Sequence, residues 1–443
     1  MSTRARAPET LTERDVLRFW APLAATWLMM SVEGPFIAAI IARLGDPEYN
    51  LAAYGVAFSF ALLIESPIVM ALSAATALVR DRQSFLTLRR FIYSLNVVVT
   101  AGMVVLLVPP VFRWVTTELV RLPVPVARLT YLATAVLLPW PAAIGYRRFD
   151  QGVLVRHKLT RRVAYGTIVR LTTMTAVALL LDALTLLPGV CVGAAALSAG
   201  VVLEAAATRL MARGVVNEIL TAPASRDDRV PHLTTRRVVW FYYPLALTSL
   251  LSFGINPLLS LFLARGRLPI QSLAVLPVVM SLMFLFRSGG IAYQEVCIAL
   301  LGDRREHYQP LAAFARKTGG LLTLGLAVVA FTPLATFWFQ RVSGLSAELA
   351  SLAVLPIRIL ALMPALEVLL SLERGVLVHA HRTRLITWAT AVEVATVIGV
   401  LYVGVAGFDL VGIVAAAAGL LLGRVASTAF LSRPALGRPA GGA

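Results

Sequence analysis

The first long apolar stretch of the chain is written twice. Phe19, Pro22, Pro35, Arg43 and Pro47 recur without a gap as Phe241, Pro244, Pro257, Arg265 and Pro269, a constant offset of 222 residues. A second block, Gly152-Val153-Leu154-Val155, returns as Gly375-Val376-Leu377-Val378 at an offset of 223, with Pro141 and Thr160 matching Pro364 and Thr383. The chain is therefore two copies of one unit of roughly 220 residues, far longer than the ~20–50-residue repeats of solenoids and propellers. In an apolar chain, such a repeat points to two similar membrane bundles.

The chain is apolar enough for that reading. Hydrophobic residues make up 58% and charged residues 14%, where a soluble domain carries about 25% charge, and the mean hydropathy is +0.80. Apolar runs of roughly 20–30 residues suffice to cross a hydrocarbon core of about 30 Å as helices, and no period-2 alternation suggests a barrel. Cys191 and Cys297 both fall inside apolar runs, where a thiol behaves as a small hydrophobe, so neither a disulfide nor a metal site is expected. Arg4, Arg6, Arg14 and Arg18 precede or open the first run with no small-residue cleavage site after it, which predicts a retained helix.

The pattern predicts twelve membrane spans. Six lie at about 17–41, 50–79, 91–117, 127–156, 163–187 and 190–219, and six more at about 237–264, 270–301, 310–339, 349–380, 384–406 and 410–432. Residues 1–16 form a polar N-terminal segment with Thr10 or Thr12 as helix cap. Residues 17–219 and 237–432 form the two lobes, 220–236 the linker and 433–443 a disordered tail. Pro139 and Pro141 predict a kink in span 4, and Pro364 one in span 10. Six helices per lobe is an even number, so both lobes enter the membrane in the same orientation, as parallel repeats about an axis along the membrane normal. The net charge of +17 does not call for nucleic acid. Most of the 40 Lys and Arg fall in segments sharing one side, the positive-inside pattern, which places both termini in the cytoplasm and the protein in the cytoplasmic membrane.

No phosphate-binding loop, metal-spaced His or Cys cluster or nucleophile elbow occurs, so an enzyme is not expected. His157, His232, His307, His379 and His381 all fall at predicted cytoplasmic positions. Chemistry is left to the ionisable residues inside the spans, each costing about 2.5–3.5 kcal/mol to insert at the bilayer centre. The acidic ones include Glu33, Glu65, Asp182, Glu204, Glu295, Glu367, Glu373 and Glu393, and the basic ones are Arg170, Arg287 and Arg358.

Arg287 occupies the repeat position of Glu65, so the two lobes place opposite charges at equivalent depth on their second helices. Gln294 lies seven residues on, on nearly the same helical face, with Glu295 beside it. Arg358 offers a guanidinium fork to a carboxylate or an anionic ligand; the alternative is an internal ion pair with Glu33, Glu295 or Glu367. Glu33, two residues before Pro35, is a candidate for carrying a coupling proton or helping to hold Na⁺, with helix packing beside Ser31 as the structural alternative. Asp182, Glu204 and Glu393 receive no role.

Leu51-Ala52-Ala53-Tyr54-Gly55-Val56-Ala57-Phe58-Ser59, Arg80-Asp81-Arg82, Arg156-His157-Lys158, Phe241-Tyr242-Tyr243-Pro244-Leu245-Ala246 and Pro356-Ile357-Arg358-Ile359 resemble the progressive ankylosis (ANK) family. That family is a branch of the multidrug/oligosaccharidyl-lipid/polysaccharide flippase (MOP) superfamily, which also holds the MATE exporters. The resemblance implies an all-α, MATE-like fold of two pseudo-symmetric six-helix bundles that rock to give alternating access. It also implies export of anionic metabolites, with pyrophosphate, nucleoside triphosphate and citrate as candidates. Glu33, Glu295 and Arg358 fall on matching family positions. Asn256 stands where a basic residue is expected, and Arg287 where none is.

The expectation is therefore a secondary transporter for a small organic or phosphorylated anion. Arg287 and Arg358 would neutralise the substrate, Asn256, Gln294 and Glu295 would complete its site, and Glu33 and Glu65 would serve coupling or gating. No cofactor beyond a coupling H⁺ or Na⁺ is expected, and a functional monomer is, because one chain already encloses a cleft. Two alternatives remain open: an H⁺- or Na⁺-coupled exporter of cationic drugs, and a flippase for a lipid-linked precursor.

Overall fold

A computed structural model describes residues 11–157, 159–184, 187–221, 233–302, 305–380 and 382–436. Among these, 11 helices are long and apolar enough to cross a membrane. Span 1 is Glu13–Arg43, span 3 Arg82–Leu107, span 4 Val124–Arg156, span 5 Thr160–Leu184 and span 6 Gly189–Thr221. Span 7 is Thr235–Leu263, span 8 Pro269–Leu300, span 9 Tyr308–Phe331, span 10 Ala347–His379, span 11 Thr383–Tyr402 and span 12 Gly412–Leu436. The twelfth crossing is span 2, made of Pro47–Glu65 and Ala71–Leu78 on either side of a turn at residues 66–70. The expected all-α architecture of twelve helices in two bundles is what the chain forms. Twelve crossings put both described ends on one face, called here the terminal face, opposite a far face.

Local signals account for the ends and breaks. Thr12 caps span 1, its side chain accepting from the Asp15 amide at 3.3 Å while Asp15 returns the bond, and Asp81 caps span 3 through Ser84. Pro139 and Pro141 interrupt span 4 after Val136, and a 3₁₀ turn at Leu360–Leu362 interrupts span 10 just before Pro364. Each proline removes an internal hydrogen bond. The last helix continues to Leu436, so residues 433–436, expected in the tail, are helical; most of the linker and the rest of the tail lie outside the described residues.

The repeat is structural in detail. Asp46 and Leu268, 222 residues apart, both take left-handed backbone angles (φ 51° and 52°) and turn the chain into Pro47 and Pro269, the first residues of spans 2 and 8. Asn50 Oδ1 accepts from the Val190 amide at 2.9 Å, and Ser272 Oγ accepts from the Ile413 amide at 3.3 Å. A Cβ on Gly152 would lie 2.5 Å from Ala75 Cβ, and one on Gly375 would lie 2.5 Å from Cys297 Cβ. Glycine is therefore required at both positions, and this explains why the Gly-Val-Leu-Val block was retained in both copies.

The first helix of each lobe leans on the other lobe. Span 1 packs Val16 and Trp20 with Tyr293, Val296 and Phe314 of the second lobe, Trp20 meeting Phe314 edge-on at 5.8 Å. Span 7 places Tyr242 edge-on to Phe91 of the first lobe at 5.1 Å. The lobes are also tied by four hydrogen-bonded crossings that obey the repeat. Toward the terminal face, Trp20 Nε1 donates to Gly289 O (2.9 Å) and Tyr242 Oη to Pro67 O (2.6 Å). At the far face, Arg43 donates to Arg341 O and Val342 O (both 2.8 Å), and Arg265 to Leu119 O (2.6 Å). The far-face acceptors end two π-helical turns, Trp114–Leu119 and Trp338–Val342, whose altered hydrogen bonding leaves carbonyls available. The lobes are thus held together above and below their shared midline.

Candidate functional site

Between these ties lies a cavity of about 450 Å³ lined by both lobes, a size that suits a small-molecule ligand. The first lobe contributes Glu33, Glu65, Arg147, Arg148 and Arg170, and the second Asn256 and Arg287. Backbone breaks aim several of these inward. Glu33 opens the second half of span 1, directly after its interruption at Val32, and Glu65 is the last residue before the turn in span 2. Arg147 and Arg148 sit two turns beyond the proline break of span 4.

Behind the lining, each lobe assembles an ionic network around one buried glutamate. In the first lobe that glutamate is Glu204 of span 6, which pairs with Arg147, accepts from Gln151 Nε2 at 3.2 Å and lies 3.8 Å from Arg170. Arg170 in turn pairs with Glu33. In the second lobe it is Glu367 of span 10, bonded by Arg287 through Nε at 2.7 Å and lying 3.4 Å from Arg424, which pairs with Glu393 at 3.2 Å. Glu393 occupies the repeat position of Arg170, as Arg287 does that of Glu65. At these two repeat positions the lobes carry opposite charges, whereas the central glutamates Glu204 and Glu367 occupy non-equivalent positions.

Arg148 and Glu65 stand outside these pairs. Among the described residues, no carboxylate lies within ion-pair distance of Arg148, and its Nε is buried without a hydrogen-bond partner, as is Glu65 Oε2. The remaining wall is largely apolar and sulfur-rich, with Tyr54, Phe58 and Trp140 on the first lobe and Met280 and Met283 on the second. Tyr54 stacks on Phe58 at 5.7 Å, and Phe58 tilts against Trp140 at 5.3 Å.

The cavity brings together Glu33, Glu65, Asn256 and Arg287 from the residues singled out in the sequence. Arg358, Glu295 and Gln294 do not line it. Arg358 is exposed on span 10, where its Nε donates to Ala330 O at 3.1 Å and its guanidinium lies 5.8 Å from the Phe331 ring centre. Of its expected carboxylate partners Glu33, Glu295 and Glu367, Glu33 pairs with Arg170 and Glu367 with Arg287, and none of the three pairs with Arg358. Glu295 is exposed on span 8, and the backbone of Gln294 packs against Gly375. Depth in the membrane was legible for these three, but helical facing was not. The sequence reading missed Arg147, Arg148 and the partner roles of Glu204, Glu393 and Arg424. An Arg-Arg step inside span 4 was the available signal, and its closeness to the basic turn at Arg156 masked it.

No family model matches the sequence, and no curated protein is similar to it. Solved structures are similar. A multidrug resistance MATE family transporter of the MOP superfamily, in an inward-facing conformation, aligns with a TM-score of 0.69 at 15% identity over 94% of this chain and 96% of that one. The lipid II flippase MurJ in an inward closed conformation aligns at 0.71 and 11% identity over 95% and 88%. A MOP superfamily transporter from Pyrococcus furiosus aligns at 0.63 and 16% identity over 96% and 97%. The ANK branch has no counterpart among these likenesses. Repeat, twelve crossings and structural likeness converge on one statement: this chain is a multi-pass membrane protein with the fold shared by MATE transporters of the MOP superfamily and the flippase MurJ.

Proposed function

We propose that the protein is an alternating-access secondary transporter that exports anionic metabolites across the cytoplasmic membrane, working as a monomer with both termini in the cytoplasm. The observation that carries this reading is the lining of the central cavity, where four arginines, Arg147, Arg148, Arg170 and Arg287, stand with two carboxylates, Glu33 and Glu65, and Arg148 has no ion pair among the described residues. Arginine is suited to this task because it stays charged and presents a fork that matches carboxylate and phosphate oxygens. Arg287 borders the substrate from the second lobe, held in place by Glu367, and Asn256 orients it. Glu33 and Glu65 serve coupling or gating, with H⁺ or Na⁺ as the coupling ion, since a buried carboxylate is worth its insertion cost only if it is paired or used.

A second reading, export of a cationic drug, is favoured by one observation: Glu65 is buried at the cavity with an oxygen that nothing bonds. The arginine majority opposes it. The two separate in one assay, in which cells expressing the protein are followed for citrate, pyrophosphate, ATP and a preloaded aromatic monocarboxylate in the medium and for ethidium efflux. Anion release is expected, and its loss in the double variant Arg287→Gln/Glu367→Gln, which removes the pair without leaving a bare charge. Ethidium efflux with no anion released would establish the cationic reading instead.

A further inference from the structure

Resting on the anion reading, we propose that the substrate is a singly charged organic anion with a flat apolar body, its charge held by Arg148. Three observations point there. Of the four arginines in the cavity, Arg147, Arg170 and Arg287 are already paired with Glu204, Glu33 and Glu367. Arg148 is the lining arginine left without an ion pair among the described residues; its Nε is buried and unbonded, as are those of Arg147 and Arg170, so the missing ion pair is what sets it apart. Glu65 faces the same cavity but lies beyond ion-pair distance, and a half-buried cation without a direct partner is costly, so a ligand carboxylate or phosphonate at Arg148 completes what the protein leaves open.

A second negative charge has no such place. To hold one, the cavity would have to open a buried ion pair and strand its carboxylate, and removing one partner from such a pair costs about 3–5 kcal/mol. Pyrophosphate, nucleoside triphosphates and citrate all carry several charges at neutral pH. The cavity therefore discriminates against the most highly charged anions by its own internal pairing.

The body of the ligand is read from the wall. Tyr54, Phe58 and Trp140 form a continuous aromatic surface, and Met30, Met280 and Met283 supply deformable apolar contacts. A small hydrophilic anion would leave that surface facing water within about 450 Å³, whereas a one- or two-ring body covers it. The charge at Arg148 would suit an aromatic or an acyl acid alike, and the flat aromatic wall favours the aromatic one.

The test is equilibrium binding to the purified full-length protein in nanodiscs, read by calorimetry. The probes are 1-naphthaleneacetate, the uncharged 1-naphthalenemethanol, decanoate, citrate, pyrophosphate and ethidium. Naphthaleneacetate is expected to bind at least about tenfold more tightly than naphthalenemethanol, citrate or pyrophosphate, tenfold being about 1.4 kcal/mol. Arg148→Gln is expected to erase the advantage over naphthalenemethanol while leaving naphthalenemethanol itself bound, which also reports that the variant is folded. Arg148→Lys should restore part of it. Decanoate binding above naphthaleneacetate would move the source from aromatic to acyl acids and overturn the flat-body assignment. Citrate or pyrophosphate binding as tightly as naphthaleneacetate would overturn the inference and leave the anion reading standing. Ethidium binding with no anion bound would overturn both, and an unchanged preference in Arg148→Gln would remove Arg148 as the anchor.

Discussion

The two lobes share a frame and differ in charge. Backbone features repeat almost residue for residue, from the left-handed Asp46 and Leu268 to the glycines that let span 4 meet span 2 and span 10 meet span 8. The ionic groups do not. Where the first lobe has Glu65 and Arg170, the second has Arg287 and Glu393, and each lobe closes its own network around a different helix, through Glu204 on span 6 or Glu367 on span 10. The frame is set by helix packing and is intolerant of change at contact points such as Gly152 and Gly375. Buried charge, by contrast, has only to sum to a compensated cluster, so either sign is admissible at a given position provided a neighbour answers it. The consequence is a cavity with unlike walls between like bundles.

The largest expected effect is at the two central glutamates. Glu204→Ala and Glu367→Ala each strand one arginine, Arg147 or Arg287, and weaken a second, and should each cost about 3–5 kcal/mol, seen as a sharp loss of monodisperse protein and a lowered unfolding midpoint in detergent. Comparable losses in the two variants would bear out the equivalence of the networks; a near-silent Glu367→Ala would break it. Smaller is the effect of the ties between lobes, at about 1 kcal/mol per hydrogen bond. With Cys191→Ala and Cys297→Ala as background and Ser281→Cys as reporter, Arg43→Ala/Arg265→Ala should raise labelling from the far face by roughly five- to thirtyfold. Trp20→Phe/Tyr242→Phe should raise it from the terminal face instead. Equal rises from both faces in either variant would mean that the ties are not specific to one face. The smallest effect belongs to Arg358→Ala, whose side chain touches a carbonyl and a ring at the surface. It should move stability by no more than about 0.5 kcal/mol and leave anion export unchanged, and a lost export activity would restore Arg358 to the site.

Much of this was legible in the sequence because a repeat is a geometric statement. The 222-residue offset foretold equivalent helices, and Pro139, Pro141 and Pro364 foretold the breaks that span 4 and span 10 show. Glu33, Glu65, Asn256 and Arg287 were recognisable because each combines an uncommon polar group with a proline, a helix break or a repeat partner. Arg358 satisfied the same criteria and lies outside the cavity, because a proline fixes where a helix bends but not which of its faces meets the neighbouring lobe. Arg147 and Arg148 escaped for the opposite reason. In a linear chain they read as the approach to a basic turn, and only the break in span 4 brings them back to the midline. Glu204 received no role, yet Gly166 and Gly200 bring spans 5 and 6 close enough for Arg170 to join Arg147 and Gln151 on it.

The four ties between the lobes all end on main-chain carbonyls: Pro67, Gly289, Leu119 and the Arg341–Val342 pair. A carbonyl cannot be substituted away, so half of each of these four repeat-related ties is protected from sequence drift, unlike the surface pair of Lys317 with Glu13, where both partners are side chains. A duplicated gene whose copies diverge freely in charge would thus keep its two halves meshing, because the part that must match is the part that mutation does not reach.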